Sequence, residues 1–219
     1  MRKVIVVAFL FAVAALLRAQ NSGALTSDNP PPQWLVPVEG AYSISAWAGH
    51  WHLGRQFDGI ASKPKPFIED NYATGTKNPN SHTWGTFDQI YPSSHDKLDF
   101  ADQVGWRNIE QVRAGVEESA GRKWKFTETY ESFWLASTGD GLYASSGNLA
   151  VPTPGPGAPR HVGQEVDAWA DWNYRTAIDL GFGYAHLIAG AFLNRTTAGR
   201  DFIYPFVYMT YHFTKTPEN

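Results

Sequence analysis

The chain has no cysteine among its 219 residues. That excludes disulfide frameworks and thiolate metal sites together. Beyond its first residues it has no apolar run near the ~20 residues that a helix needs to cross a bilayer. Positive charge is scarce: 18 Lys and Arg stand against 21 Asp and Glu, for a formal net charge of -3. Nucleic-acid binders usually present a basic face, so nucleic acid is not an expected partner. Helical periodicity of useful length is also missing, while 14 prolines and 20 glycines punctuate the chain.

Aromatic residues are what the chain has in quantity. Trp 9, Tyr 10 and Phe 13 make up 15% of it, although mean hydropathy is only -0.34. Transmembrane barrels combine these properties, because only alternate residues of their strands face lipid. Residues 202–213 (FIYPFVYMTYHF) read as such a strand, alternating, aromatic and ending on Phe213 before a short polar tail.

The N-terminus points to export. Arg2 and Lys3 precede an unbroken apolar run over residues 4–17, and Ala19 offers a small residue for cleavage. A run of this length suits the core of a signal peptide. Loss of Arg2, Lys3 and Arg18 takes the net charge from -3 to -6. The expected organisation is a signal peptide at 1–19, a linker at 20–40 with Asn29 and three prolines, a β-region at 41–213 and a polar tail at 214–219.

Period-2 segments follow. In 162–174, Val162, Val166, Ala168, Ala170, Trp172 and Tyr174 share one face, with Gln164 out of place. Gly163, Glu165, Asp167, Asp171 and Asn173 share the other, together with Trp169. A strand separates these sets, whereas a helix would mix them. Arg175 and Thr176 turn tightly into a strand in which Ile178, Leu180, Phe182 and Tyr184 alternate with Asp179, Gly181, Gly183 and Ala185. In the last strand Ile203, Val207, Met209, Tyr211 and Phe213 share a face, and Pro205 predicts a bulge or a frayed end there.

Upstream, residues 124–135 are strand-like but break phase, which predicts a bulge near 128–131. Residues 104–117 place Val104, Trp106, Val112, Ala114 and Val116 opposite Arg107, Gln111, Arg113 and Glu117. Residues 67–73 and 42–51 are further strands, and 34–38 is a poor candidate for another. Short turns at 119–121 and 175–176 alternate with long loops at 74–102 and 138–160. Outer-membrane barrels sort their connections in this way. The predicted fold is all-β: an antiparallel up-and-down transmembrane β-barrel or partial barrel of about 7–8 strands.

Polar-face residues Arg107, Gln111, Arg113, Glu117, Glu165, Asp167 and Asp171 are the candidates to line a lumen. They would act either as a selectivity lining or as cross-strand pairs filling a narrow interior. Trp124, Trp172, Tyr174, Tyr211 and Phe213 are the candidate membrane-interface aromatics. His50 and His52 fall on one strand face as a zinc pair would, yet no third ligand has suitable spacing. His95, Asp96, Asp88 and Ser94 lie near one another without a nucleophile elbow. Glu128 and Glu131, three apart on a strand, face opposite sides and do not form a glycosidase pair. Neither an enzyme nor a cofactor is expected.

Several blocks resemble the C-terminal part of the alginate-export outer-membrane porin family. They are Gly85-Thr86-Phe87-Asp88-Gln89-Ile90-Tyr91-Pro92-Ser93-Ser94-His95-Asp96-Lys97, then Ala101-Asp102-Gln103-Val104-Gly105-Trp106-Arg107-Asn108, then Ser132-Phe133-Trp134-Leu135. Asp140-Gly141-Leu142-Tyr143, His161-Val162-Gly163-Gln164-Glu165-Val166-Asp167, Gly183-Tyr184-Ala185-His186 and the aromatic last strand continue the order. The resemblance covers residues 40–213; Leu98-Asp99 replaces a Tyr-Gly-like pair. Members of that family are longer, with barrels of about sixteen to eighteen strands, so the chain resembles a leader joined to the last portion of such a barrel.

The resemblance implies passive passage of a polar or anionic solute, with a polysaccharide such as alginate as one case, in the bacterial outer membrane. Implied partners are outer-membrane lipid, the solute, and either another copy or a companion barrel segment. The alternative reading is a secreted soluble β-protein that stacks sugars on exposed Trp and Tyr.

Overall fold

The computed structural model describes residues 8–11, 43–90 and 98–212. Most of the expected leader, the linker at 20–40, residues 34–38 and 91–97, Phe213 and the tail at 214–219 lie outside the described residues. The strands are β1 (Ala8–Phe11), β2 (Ser43–Ile44), β3 (Ala48–Gly54), β4 (Lys65–Ala73), β5 (Thr83–Trp84) and β6 (Ile109–Ala120). Then come β7 (Trp124–Leu135), β8 (Leu142–Tyr143), β9 (Leu149–Val151), β10 (His161–Arg175), β11 (Ile178–Ala189) and β12 (Phe202–Tyr211). One short helix, α1 (Ala191–Thr196), lies between β11 and β12.

The principal sheet is an antiparallel meander in the order β1-β3-β4-β6-β7-β10-β11-β12. Apart from the four-residue β1, seven strands follow one another as neighbours, as the alternation predicts. The sheet is open: β12 has no second neighbour among the described residues. Within the expected leader, Ala8–Phe11 pairs with Gly49–His52 along the outer side of β3. Two small ladders, β2 with β5 and β8 with β9, lie in the connections.

The connections sort by length. Residues 74–108, 136–160 and 190–201 link strands at one end of the sheet; 55–64, 121–123 and 176–177 link them at the other. The long connections enclose the apolar core, in which Val104, Ile109, Phe133, Leu135, Val162, Leu187 and Phe192 are buried. Burial of such side chains stabilises each by about 1.5–3 kcal/mol.

Two residues of the recognised blocks hold these loops together. The buried Asp140 carboxylate accepts the backbone N–H groups of Thr76 (3.0 Å) and Gly141 (2.8 Å), the Thr86 hydroxyl and the Tyr143 hydroxyl (2.8 Å). Burial and the adjacent Asp140 charge push the Tyr143 phenol above its ordinary value. Asn108, fully buried, donates to the carbonyls of Ser137 and Gly141 (both 2.9 Å) and accepts from Ser137 N–H (2.7 Å).

Three local expectations are corrected. The strand expected from residue 104 begins at Ile109. Asp99 takes the Val104 N–H at 2.6 Å, and Asn108 sits at φ 49° with its side chain bonded into the loops. The Asp99 carboxylate and the loop carbonyls of Tyr143 and Thr74, which accept from the Gly105 and Asn108 N–H groups, thus compete with the ladder for this backbone. No bulge interrupts β7 at 128–131, since its register with β6 runs unbroken from Leu135 to Trp124. The phase break arises because Phe133 and Leu135 turn into the core beneath the loops while Phe126 and Tyr130 stay on the other face. The register shifts fall instead between His161 and Gly163 and between Asn173 and Arg175. Pro205 pairs in register with Tyr184 without a bulge. β12 is the last strand of the sheet, a position that tolerates a residue without an N–H.

Candidate functional site

Register decides which side chains meet. His52, Glu69, Arg113, Glu131 and Glu165 form one cross-strand row over β3, β4, β6, β7 and β10. His52 Nδ1 lies 2.7 Å from Glu69 Oε1. Arg113 approaches Glu69 at 3.4 Å through Nη1 and Glu131 at 3.0 Å through Nε, and its guanidinium covers the Phe67 ring. One level nearer the long loops, His50 Nδ1 is 2.7 Å from Asn71 Oδ1, and Asn71 donates to Gln111 at 2.6 Å. Gln111 in turn donates to Glu131. Glu131 is 1% exposed and Glu165 0%, and burying such groups is tolerated only within a bonded network of this kind. Nearer the short turns, Glu117 pairs with Lys65 (3.3 Å) and Lys125 (2.8 Å).

A segment of the long 74–108 connection lies against this polar face. Leu98 O accepts from Gln111 Nε2, and Phe100 N–H and Ala101 N–H donate to Glu165 Oε1 at 2.9 and 3.3 Å. The Phe100 ring stacks on Phe206 (4.5 Å, 19°) and lies 4.9 Å from Trp169, so the segment reaches from β6 across to β12. Burial pushes the Asp99 carboxyl up to about 7; the Asp167 charge acts in the same direction and the Val104 N–H bond against it. Asp167 accepts from Thr129 at 3.0 Å. Arg113 is therefore the cation paired with Glu69 and Glu131, and the Asp99, Glu165 and Asp167 carboxyl groups pack beside Glu131 and one another.

The opposite face is apolar. Trp51, Leu53, Ile68, Val112, Phe126, Tyr130, Val166, Phe182, Tyr184, Ile203, Val207 and Met209 are exposed, and the register assigns all of them to this side. Glu128, paired with Val116 and Ala168, is an acidic residue in its middle. Such an area far exceeds the scattered apolar residues of an ordinary soluble surface.

Of the residues expected to line a lumen, Gln111, Arg113, Glu117, Glu165, Asp167 and Asp171 fall on the shared polar face. Arg107 does not join them. It precedes β6, pairs with Asp88 at 3.2 Å, donates to Gly147 O at 3.1 Å and covers the Tyr143 ring at 4.4 Å. Trp124, Trp172, Tyr174 and Tyr211 lie on the apolar face at the short-turn end, where Trp124 and Trp172 stack at 5.3 Å and 3°. Phe213 lies outside the described residues, as does His95.

Sequence reasoning missed His52, Glu69, Asn71 and Glu131 as members of the network. Glu69 and Asn71 share the strand parity of Phe67, which was available as a signal. The role of Asp99 and Phe100 had no such signal, because it depends on a loop folding back over the sheet.

The model of a protein family described as alginate export matches residues 33–203. No curated protein matches the chain.

Proposed function

The chain belongs to the alginate-export family, a family of outer-membrane transport proteins, and from that premise we propose that it is a porin-like protein for passive passage of a polar solute. The observation that carries this reading is the division of one sheet into a bonded polar face and a broad exposed apolar face. In the proposal the apolar face meets lipid, and Trp124, Trp172, Tyr174 and Tyr211 sit at the headgroup level on the periplasmic side. The polar face lines the path, with Gln111, Arg113, Glu117, Glu165, Asp167 and Asp171 among its contacts, and the segment 98–104 narrows it. A polysaccharide such as alginate is the proposed class of solute, entering as an extended chain.

Residues 1–19 act as the export signal in this reading. The free edges of the sheet follow from the same physics. Unpaired backbone groups in hydrocarbon cost several kcal/mol each, so the open side of β12, and that of β3 once removal of the leader takes β1 away, pair with another copy or a companion barrel segment. The experiment is outer-membrane fractionation followed by planar-bilayer recording of the refolded protein. A detergent-requiring, heat-modifiable band with stepwise conductance upholds the proposal. A detergent-free soluble monomer contradicts it and favours a secreted sugar-binding protein.

A further inference from the structure

Among the exposed aromatic and large aliphatic residues of the principal strands, Phe202 and Tyr208 break the division of faces. Both lie on the polar side of β12, in register with Leu187 and Gly181. Tyr204 and Phe206 lie between them on the same side, opposite Ala185 and Gly183. The four rings are near-parallel, with consecutive centroids 6.5, 5.8 and 6.3 Å apart and interplanar angles of 17°, 25° and 12°. A Cβ on Gly181 would collide with the Tyr208 ring, and one on Gly183 with the Phe206 ring. Small residues on β11 are therefore what lets the rings lie over the neighbouring strand.

Two further observations indicate what such a row accepts. Phe100 already occupies one position: its ring stacks on Phe206 at 4.5 Å, so the row accepts a flat partner from the polar side. Acceptors stand beside the rings as well. Tyr208 donates its hydroxyl to Asp171, and Asp179, on the same face, lies 2.7 Å from His212 Nε2. Aromatic faces bordered by carboxylates suit a ligand that is apolar on one face and hydroxyl-rich at its edge. The acyl chains of lipid lack the hydroxyl edge.

We propose that Phe202, Tyr204, Phe206 and Tyr208 form a stacking track for the pyranose rings of a glycan, with Asp171 accepting from hydroxyl groups beside it. This rests on the reading that solute moves along the polar face, and it adds the surface on which the solute moves. The ring spacing is comparable to that of successive sugars in an extended chain. Phe100 takes the place of one sugar at Phe206, so a bound glycan displaces it. If a ring on a sugar face contributes as a ring on another aromatic does, each is worth about twofold to tenfold in affinity.

The test is a calorimetric or tryptophan-fluorescence titration of the refolded protein in detergent. The probes are a neutral gluco-oligosaccharide and an oligouronate of equal length. Tyr204→Leu/Phe206→Leu keeps apolar bulk and removes two ring faces; Val207→Ala on the opposite face is the comparison, and each variant is first checked for the heat-modifiable band. The proposal expects saturable binding of at least one probe, weakened by about tenfold or more in the Leu pair and unchanged in Val207→Ala. Equal affinity in the Leu pair overturns the track, as does absence of binding for both probes. Conductance measured on the same samples stands apart, so a conducting protein that binds neither probe keeps its path and loses the track.

Discussion

The two ends of the sheet are built on different principles. Toward the long loops the polar side is covered: Ile109, Phe133, Leu135, Val162 and Phe192 are buried together beneath the loops, and Asp140 and Asn108 bond the loops to one another. Toward the short turns the strands stay two-faced, with Trp124 stacked on Trp172 on one side and Lys125 paired with Glu117 on the other. One end is organised as a protein interior and the other as a wall between two solvents. Stability should therefore concentrate at the loop end, and environment should decide what the turn end tolerates.

The largest break in that comparison comes from the core. Phe133→Ala removes a fully buried ring and should cost about 3–5 kcal/mol, whereas Phe126→Ala on the exposed face should cost far less; denaturant unfolding in detergent measures both. Asp140→Ala leaves the donors of Thr76, Gly141 and Tyr143 without their acceptor. A loss of about 3 kcal/mol is expected, read as protease nicking within 74–90 and 136–160.

The segment over the polar face gives a pH signature. Burial raises the Asp99 carboxyl to about 7 in the folded chain, where it is packed against Glu165, against about 3.9 for an ordinary Asp. The folded protein thus holds this proton where the unfolded chain has released it. The contribution of the group is fully present below pH ~4 and is lost as pH rises through about 7. A single cysteine at Ala101, in a chain with no native thiol, should label faster as pH passes 7, corrected against an exposed cysteine at Ser146. Asp99→Asn should flatten that rise, and an unchanged profile would remove Asp99 as its source. The smallest effect is expected at the turn end, where Lys125→Ala breaks a half-exposed pair and should shift stability by about 1 kcal/mol or less.

The same contrast explains what the sequence disclosed. Alternation revealed β10 and β11 and the sorting of connections, because two-faced strands write their environment into every second residue. It failed at β7, where Phe133 and Leu135 follow the core rather than the face of Phe126. It failed at residue 104 too, where Asp99 and the carbonyls of Tyr143 and Thr74 take the backbone N–H groups of Val104, Gly105 and Asn108 before the ladder begins. Attention to the apolar side of β12 hid its other parity, Phe202, Tyr204, Phe206 and Tyr208, whose meaning emerged only beside Gly181 and Gly183. The place of Arg107 among the loops and the fold-back of Phe100 depend on contacts between distant segments, which periodicity does not carry.

The central claim, that the sheet separates lipid from an aqueous path, is tested most directly by single cysteines on the two faces of the refolded protein in liposomes. Lys125, Asp171 and Thr210 lie on the polar face; Ala168, Val207 and Met209 lie on the other. The account predicts that a water-soluble thiol reagent labels cysteines at the first three positions. Probes attached at the other three should be protected from it and quenched by a lipid-borne quencher. Aqueous labelling of all six without lipid quenching would contradict it.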